Sequence, residues 1–220
     1  MQNIESILFE PVGCLAEFPS GPFLEAASRL FDRKKQVSQS GSRAYWHLLN
    51  LVESGDRELD ESERRILDES EIQAASEATV YEDVTPALGE LKSMGVKLFI
   101  ASSLSRAAVA RFVERNSLSS FFAGVWSTDE GDGRKAAPLR AAISASAVAP
   151  GRILFMTDTL EGLKLAQSAG VQPILMMNDP DEARRLSMHG PSGGIVSLHE
   201  LPDFVRLVAA QNAGKSGAHS

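Results

Sequence analysis

The fold of this chain is decided by a short stretch near its start, Ile7–Leu15, which reads ILFEPVGCL. The large apolar residues Ile7 to Phe9 predict a short buried strand. Glu10 follows this strand directly, and Gly13 predicts a tight turn behind it. Because parallel sheets place their ligands at the carboxyl ends of the strands, Glu10 is the first candidate for a functional residue.

From residue 84 onward, short apolar runs alternate with amphipathic segments. The runs that predict strands are 96–101, 124–126, 153–156 and 174–177, and the segments that predict helices are 86–94, 106–115, 138–148 and 160–169. This alternation predicts a parallel sheet that is covered on both faces. The predicted fold class is therefore α/β, a Rossmann-like parallel sheet with helices on both faces and an inserted helical cap.

The predicted cap consists of three helices that lie between the first strand and the alternating region. They are 23–31, 40–53 and 60–78, and the third begins with the spacing of a capping box at Asp60 and Glu63. The domains we expect are a helical cap at 16–80, a Rossmann-like core at 1–15 and 81–210, and a flexible tail at 211–220. Tyr45 and Trp46 of the cap could contact a substrate, but burial in the core is the interpretation that we favour.

The composition excludes several classes of function. The 220 residues carry a formal net charge of −7, and no Lys/Arg run is long enough to suggest a local exception, which argues against a nucleic-acid partner. No apolar run approaches the ~20 residues that span a bilayer, and no signal peptide is visible. The single cysteine, Cys14, fits a reducing compartment and is expected to be a buried thiol rather than a nucleophile. We therefore expect a cytoplasmic protein with no membrane partner.

Four segments, in this order, resemble the motifs of the haloacid dehalogenase-like (HAD) hydrolase superfamily. They are ILFEPVGCL at 7–15, IASS at 100–103, KAAP at 135–138 and LFMTDT at 154–159. The resemblance implies a site at the carboxyl end of the sheet and an Mg²⁺ cofactor, which prefers oxygen ligands. The implied site residues are Glu10 and Lys135 for catalysis, Ser102, Ser103 and Lys135 for substrate binding, and Glu10, the Val12 carbonyl and Asp158 for the metal.

The chain departs from the superfamily pattern at several positions, among them Cys14, where the family has Thr. The family has Asp where this chain has Glu10, a second Asp at Val12, Gly at Thr157 and often a further acid at Gly162. The extra methylene of Glu10 displaces the carboxylate by about 1 Å or more, which can cost on the order of 10²-fold in rate. The missing proton shuttle at Val12 removes roughly another 10²–10⁴-fold. Together these losses correspond to about 5–8 kcal/mol of barrier, which predicts weak or absent phosphatase activity.

Two interpretations of function remain open at this point. The first, which we favour, is a ligand- or partner-binding pseudoenzyme that retains an anion and Mg²⁺ pocket. The second is a divergent hydrolase that uses Glu10, a small-molecule phosphatase in preference to a dehalogenase. The expected ligand is a small phosphorylated or carboxylated molecule, and a protein partner or a homodimer is compatible with either interpretation.

Overall fold

The computed structural model of the protein describes residues 3–31, 40–54, 58–130 and 136–216. Its strands are β1 (Ser6–Phe9), β2 (Ala16–Glu17), β3 (Thr79–Val80), β4 (Lys97–Ala101), β5 (Gly124–Trp126), β6 (Ile153–Thr157), β7 (Gln172–Met176) and β8 (Gly193–Ile195). Its α-helices are α1 (Pro11–Cys14), α2 (Ser20–Phe31), α3 (Gly41–Glu53), α4 (Glu61–Glu77), α5 (Val84–Ser93), α6 (Arg106–Arg115), α7 (Ala136–Ser146), α8 (Leu160–Ser168), α9 (Pro180–Ser187) and α10 (Glu200–Ser216). Short 3₁₀ turns cover Ser119–Phe121, Thr128–Glu130 and Pro150–Arg152.

Six of these strands form one parallel sheet in the order β5-β4-β1-β6-β7-β8. Strand β1 lies at its centre and is buried along its whole length, as the apolar run Ile7 to Phe9 predicts. Strand β6 is likewise buried throughout, which is typical of a sheet with both faces covered. The predicted α/β fold with a Rossmann-like sheet is therefore confirmed.

The three cap helices α2, α3 and α4 lie between β2 and β3, which pair antiparallel beside the main sheet. Neither of these two-residue strands is predicted by the sequence, because so short a pairing leaves no periodic pattern. Asp60 caps α4 through the predicted capping box with Glu63, so this helix start is confirmed. The division into core and cap at the predicted boundaries stays a prediction.

Buried groups join the cap to the core. Tyr45 and Trp46 are buried, as the favoured interpretation predicts, and Tyr45 packs on Phe23 with 4.8 Å between ring centroids. The Tyr45 hydroxyl donates to Glu71 Oε1 at 3.3 Å, and Glu71 Oε2 accepts the backbone N–H of Ser105 at 2.7 Å. Since Ser105 is the N-cap of α6, a carboxylate of the cap helps to bind the first turn of a core helix.

Near the end of the chain, the structure contains elements that the sequence did not predict. Helix α9 and strand β8 are not predicted, because α9 buries only two of its residues and two of the three β8 residues are glycines. Helix α10 continues to Ser216 and overlaps the flexible tail predicted at 211–220, which stays a prediction, and residues 217–220 lie outside the described part. Within the described ranges, no helix has the length and apolar character needed to cross a membrane.

Candidate ligand site at the carboxyl end of the sheet

Three of the predicted site residues follow three neighbouring strands. Strands β4, β1 and β6 are adjacent, and Phe9 pairs with both Ile100 and Met156 in the parallel register. Glu10 and Asp158 each come directly after their strands β1 and β6, and Ser102 comes directly after β4. The sheet therefore brings these three side chains to one edge, as the positions of their motifs predict.

The carboxylate of Glu10 is held by two donors at the end of β4. Its Oε1 accepts the Ser102 hydroxyl at 2.8 Å, and its Oε2 accepts the backbone N–H of Ser103 at 2.9 Å. The Glu10 residue is only 1% exposed. Burial raises the pKa of Glu10 to about 7, and the hydrogen bonds from Ser103, Ser102 and the Val12 backbone oppose this rise only in part.

The turn after Glu10 brings Asp158 against the backbone. Gly13 has a φ of +79°, and a β-carbon at this position would lie 2.1 Å from Asp158 Oδ2. Only glycine fits both the left-handed conformation and this close approach. The carbonyl of Gly13 also accepts the Asn178 side-chain N–H at 2.7 Å, which joins the turn to the end of β7. Val12, between Glu10 and Gly13, is buried and carries no group that transfers protons.

Asp158 lies at the junction of the core and the cap. Its Oδ1 accepts the hydroxyl of Ser42, on helix α3, at 2.8 Å. Burial raises the pKa of Asp158 to about 7, and the negative charge of Glu182 adds to the rise, while the Ser42 hydrogen bond opposes it. Asp158 is therefore bound by a cap residue in this arrangement.

Near Asp158, position 157 carries a side chain and position 162 does not, which is the reverse of the family pattern. A β-carbon on Gly162 would lie 1.9 Å from Thr157 Oγ1 and 2.7 Å from Thr157 Cβ. The Thr157 hydroxyl accepts the backbone N–H of Thr159 at 3.3 Å, and the Thr159 hydroxyl in turn caps α8 at Gly162 N. The Thr157 side chain thus fills the space that any side chain at position 162 would need.

A polar cleft of 270 Å³ opens beside Asp158, between the cap and the strand ends. Arg43 of the cap crosses it and donates from Nε to Glu182 Oε2 of α9 at 2.8 Å. The described ionisable side chains in its lining are Glu17, Arg43, Asp158, Asp179 and Glu182. Four carboxyl groups and one guanidinium thus lie in the described part of this lining.

The two carboxylates predicted to bind magnesium are both held by protein donors in this arrangement. No group of three or more His, Cys, Asp or Glu side chains within the described ranges is placed to hold a metal. Both oxygens of Glu10 are bound by the donors of Ser102 and Ser103, which follow β4, and Oδ1 of Asp158 is bound by Ser42. The predicted ligand set of Glu10, the Val12 carbonyl and Asp158 therefore stays a prediction.

The structure describes some of the other predicted site residues, and it adds residues that the sequence did not predict. Lys135, predicted for catalysis and substrate binding, lies outside the described residues. Ser102 and Ser103 lie at the predicted strand end, where both donate hydrogen bonds to Glu10. The residues that the sequence analysis missed are Ser42, Arg43, Asn178 and Glu182. Asn178 follows the apolar run of β7, so the strand-end signal that identifies Asp158 could have found it.

The chain belongs to the haloacid dehalogenase-like hydrolase family, because that family's model matches residues 36–176, more than half of the chain. This confirms the resemblance drawn from the four motifs, although the match begins after the altered first motif. The chain is similar to enolase-phosphatase E1 of Sorangium cellulosum, at 28% identity over 172 residues that are 74% of each protein. It is also similar to enolase-phosphatase E1 of Citrobacter koseri, at 33% identity over 110 residues.

These matches cover different shares of the proteins compared. The Citrobacter match includes 48% of each protein, so the chain spans about half the length of that curated relative. Among solved structures, a haloacid dehalogenase-like hydrolase from Streptococcus pneumoniae superposes with a TM-score of 0.70 at 18% identity. That superposition covers 93% of this chain and 99% of the other, and it supports the fold alone.

Proposed function

We propose that this HAD-family member binds a small polar ligand in the cleft between cap and sheet and does not hydrolyse it efficiently. The observation that carries this proposal is the position of Glu10, whose two carboxylate oxygens are bound by Ser102 and Ser103. A nucleophilic carboxylate must direct a lone pair at the reacting atom of its substrate. Glu10 is buried and directs both oxygens at donors of its own protein instead.

Releasing Glu10 for attack is costly. Two hydrogen bonds to a charged group are worth roughly 1.5–3 kcal/mol each, so the movement costs on the order of 3–6 kcal/mol before any chemistry begins. The apolar side chain at Val12 supplies no general acid for the leaving group. Slow turnover is therefore the expected limit for a reaction at this carboxylate.

The cleft supports ligand binding better than it supports catalysis. Arg43 and Asn178 offer donors, and Asp179 and Glu182 offer acceptors, around an apolar floor that includes Met176. Such a lining suits a small molecule that carries both donor and acceptor groups. A protein partner and a homodimer stay predictions.

A divergent phosphatase that uses Glu10 is the second candidate function. The observation that favours it is the similarity to two enolase-phosphatases at 28% and 33% identity. A dehalogenase is a weaker form of the same candidate. Both require that Glu10 leaves its donors when substrate binds, and both make Glu10 indispensable for turnover.

A ligand screen on the purified chain tests the first candidate. Phosphate esters, carboxylic acids, amines and 2-haloacids are added with and without Mg²⁺, and both the melting temperature and product release are measured. We expect a compound that raises the melting temperature without being consumed, and we expect Asn178→Ala to remove that rise. The matched control is Gln73→Ala, an exposed amide on α4 that binds Glu77 away from the cleft. Binding only of compounds that are then turned over would contradict the proposal.

A further inference from the structure

Two buried donors meet at the end of β4. The hydroxyl of Ser102 and the backbone N–H of Ser103 converge on the two oxygens of one carboxylate, at 2.8 and 2.9 Å. Neither serine is more than 3% exposed. We call this donor pair the anion cradle, because a hydroxyl and a main-chain amide that converge at a strand end are the groups that bind carboxylate or phosphate oxygens.

We propose that the Glu10 carboxyl group is an internal ligand that fills this anion cradle and closes it to anions from solution. The ligand of the cleft is then recognised without a phosphate group in the cradle, which makes a phosphate ester the wrong class of ligand. This inference rests on the proposed binding function and narrows its ligand class. A second anion in the cradle would have to displace the Glu10 carboxylate or lie against its negative charge.

Hydrogen bonds around the anion cradle hold Ser102 and Glu10 in place. The Ser102 oxygen also accepts the backbone N–H of Leu104 at 3.2 Å, which fixes its hydroxyl toward Glu10. The backbone N–H of Glu10 itself donates to the Met156 carbonyl, so the residue is anchored to β6. An aspartate at position 10 would be shorter by one C–C bond of about 1.5 Å and would leave a gap at the donors. The length of Glu10 therefore suits the span from β1 to the cradle.

The lining of the neighbouring cleft agrees with this assignment. Its described charged groups are four carboxyls and the guanidinium of Arg43, which is already paired with Glu182. The carboxylates in the described lining would repel a phosphate dianion in the cleft. The charge of the described cleft lining and the occupation of the cradle by Glu10 thus both disfavour a ligand that carries phosphate.

Inorganic phosphate is the probe that tests this inference on the folded chain. Glu10→Ala empties the cradle, whereas Glu10→Gln keeps a side chain of the same length in it. We expect the phosphate dissociation constant of Glu10→Ala to be at least tenfold lower than that of the natural chain. That of Glu10→Gln should fall by less, because glutamine still fills the cradle although it lacks the repelling charge. Adding Ser102→Ala to Glu10→Ala should reverse the gain. No gain in Glu10→Ala, or an equal gain in Glu10→Gln, would overturn the inference.

If Glu10→Ala does not fold, a measurement on the natural protein tests the same inference. The backbone amide of Ser103 is followed by NMR during a phosphate titration of the natural chain. We expect its resonance to stay in place, because its acceptor is Glu10, and a saturable phosphate-dependent shift would overturn the inference. That shift without turnover would leave the proposed binding function standing. Conversely, turnover of a substrate that lacks phosphate would refute the proposed function and leave the closed cradle intact.

Discussion

The hydroxyl oxygen of Thr157 lies 1.9 Å from the point where a β-carbon on Gly162 would be. These two positions are therefore coupled, because a side chain at 162 requires the removal of the one at 157. The family pattern has a glycine at the first position and often an acid at the second. This chain carries the reverse arrangement, and its Thr157 hydroxyl accepts a backbone N–H at the start of α8.

The coupling predicts a sign change in the effect of Gly162→Ala. In the natural chain this substitution should destabilise the protein by about 1–3 kcal/mol, because it overpacks a buried contact. In a Thr157→Gly background it should stabilise the protein by up to about 1 kcal/mol, since alanine is the better helix former. Chemical denaturation of the four chains in a double-mutant cycle measures this difference.

Thr157→Ala is the matched control for that cycle. It removes the hydroxyl but keeps the β-carbon, which alone would lie 2.7 Å from the new methyl group. Most of the penalty of Gly162→Ala should therefore persist in this background. Equal effects of Gly162→Ala in the natural, Thr157→Ala and Thr157→Gly chains would show that the two positions are independent.

The pKa of Glu10 predicts how stability changes with pH. Its folded pKa of about 7 lies above the ordinary value of 4.5, so the folded state binds the proton more tightly than the unfolded state. The free energy of unfolding should therefore fall as pH rises from about 4.5 to about 7, relative to that of Glu10→Gln, and then level off. The full difference is on the order of 3 kcal/mol. Denaturation of both chains between pH 4 and pH 9 measures it, and parallel curves would contradict the prediction.

Two neighbours of Asp158 should shift its pKa in opposite directions. Ser42→Ala removes a hydrogen bond to the carboxylate and should raise the pKa above about 7. Glu182→Gln removes a nearby negative charge and should lower it. Carboxyl ¹³C NMR titration follows the group, and Ser54→Ala, at the far end of the same helix, is the control. Shifts of the same sign in the Ser42 and Glu182 variants would show that Asp158 does not meet these two groups as described.

Restoring the two missing aspartates predicts a gain of activity. Glu10→Asp withdraws the carboxylate from the anion cradle, and Val12→Asp supplies an acid for the leaving group. We expect the double variant to release phosphate from simple esters in the presence of Mg²⁺ faster than either single variant, since the two groups act as a unit. Thr157 and Gly162 limit the gain, because they exclude a further carboxylate. A double variant no faster than the better single variant would show that the defect lies elsewhere.

The sequence predicted which residues lie at the carboxyl end of the sheet, but it did not predict the hydrogen bonds that they form there. Apolar runs ending in Glu10, Ser102 and Asp158 place these residues at strand ends, and the parallel order of β4, β1 and β6 brings them together. That Glu10 would bind Ser102 depends on one methylene and on the spacing of two strands, which no local pattern encodes. Ser42 was missed because a serine inside a cap helix carries no signal of the distant carboxylate that it contacts.

The most direct test of the central claim compares phosphate release by the natural chain and by Glu10→Gln. Both proteins are purified in parallel and assayed with Mg²⁺ over a panel of phosphate esters. If Glu10 is held in the anion cradle and does not attack, the two chains should release phosphate at the same low rate. A rate that falls by about 100-fold or more in Glu10→Gln would show that Glu10 performs the chemistry and would contradict the account.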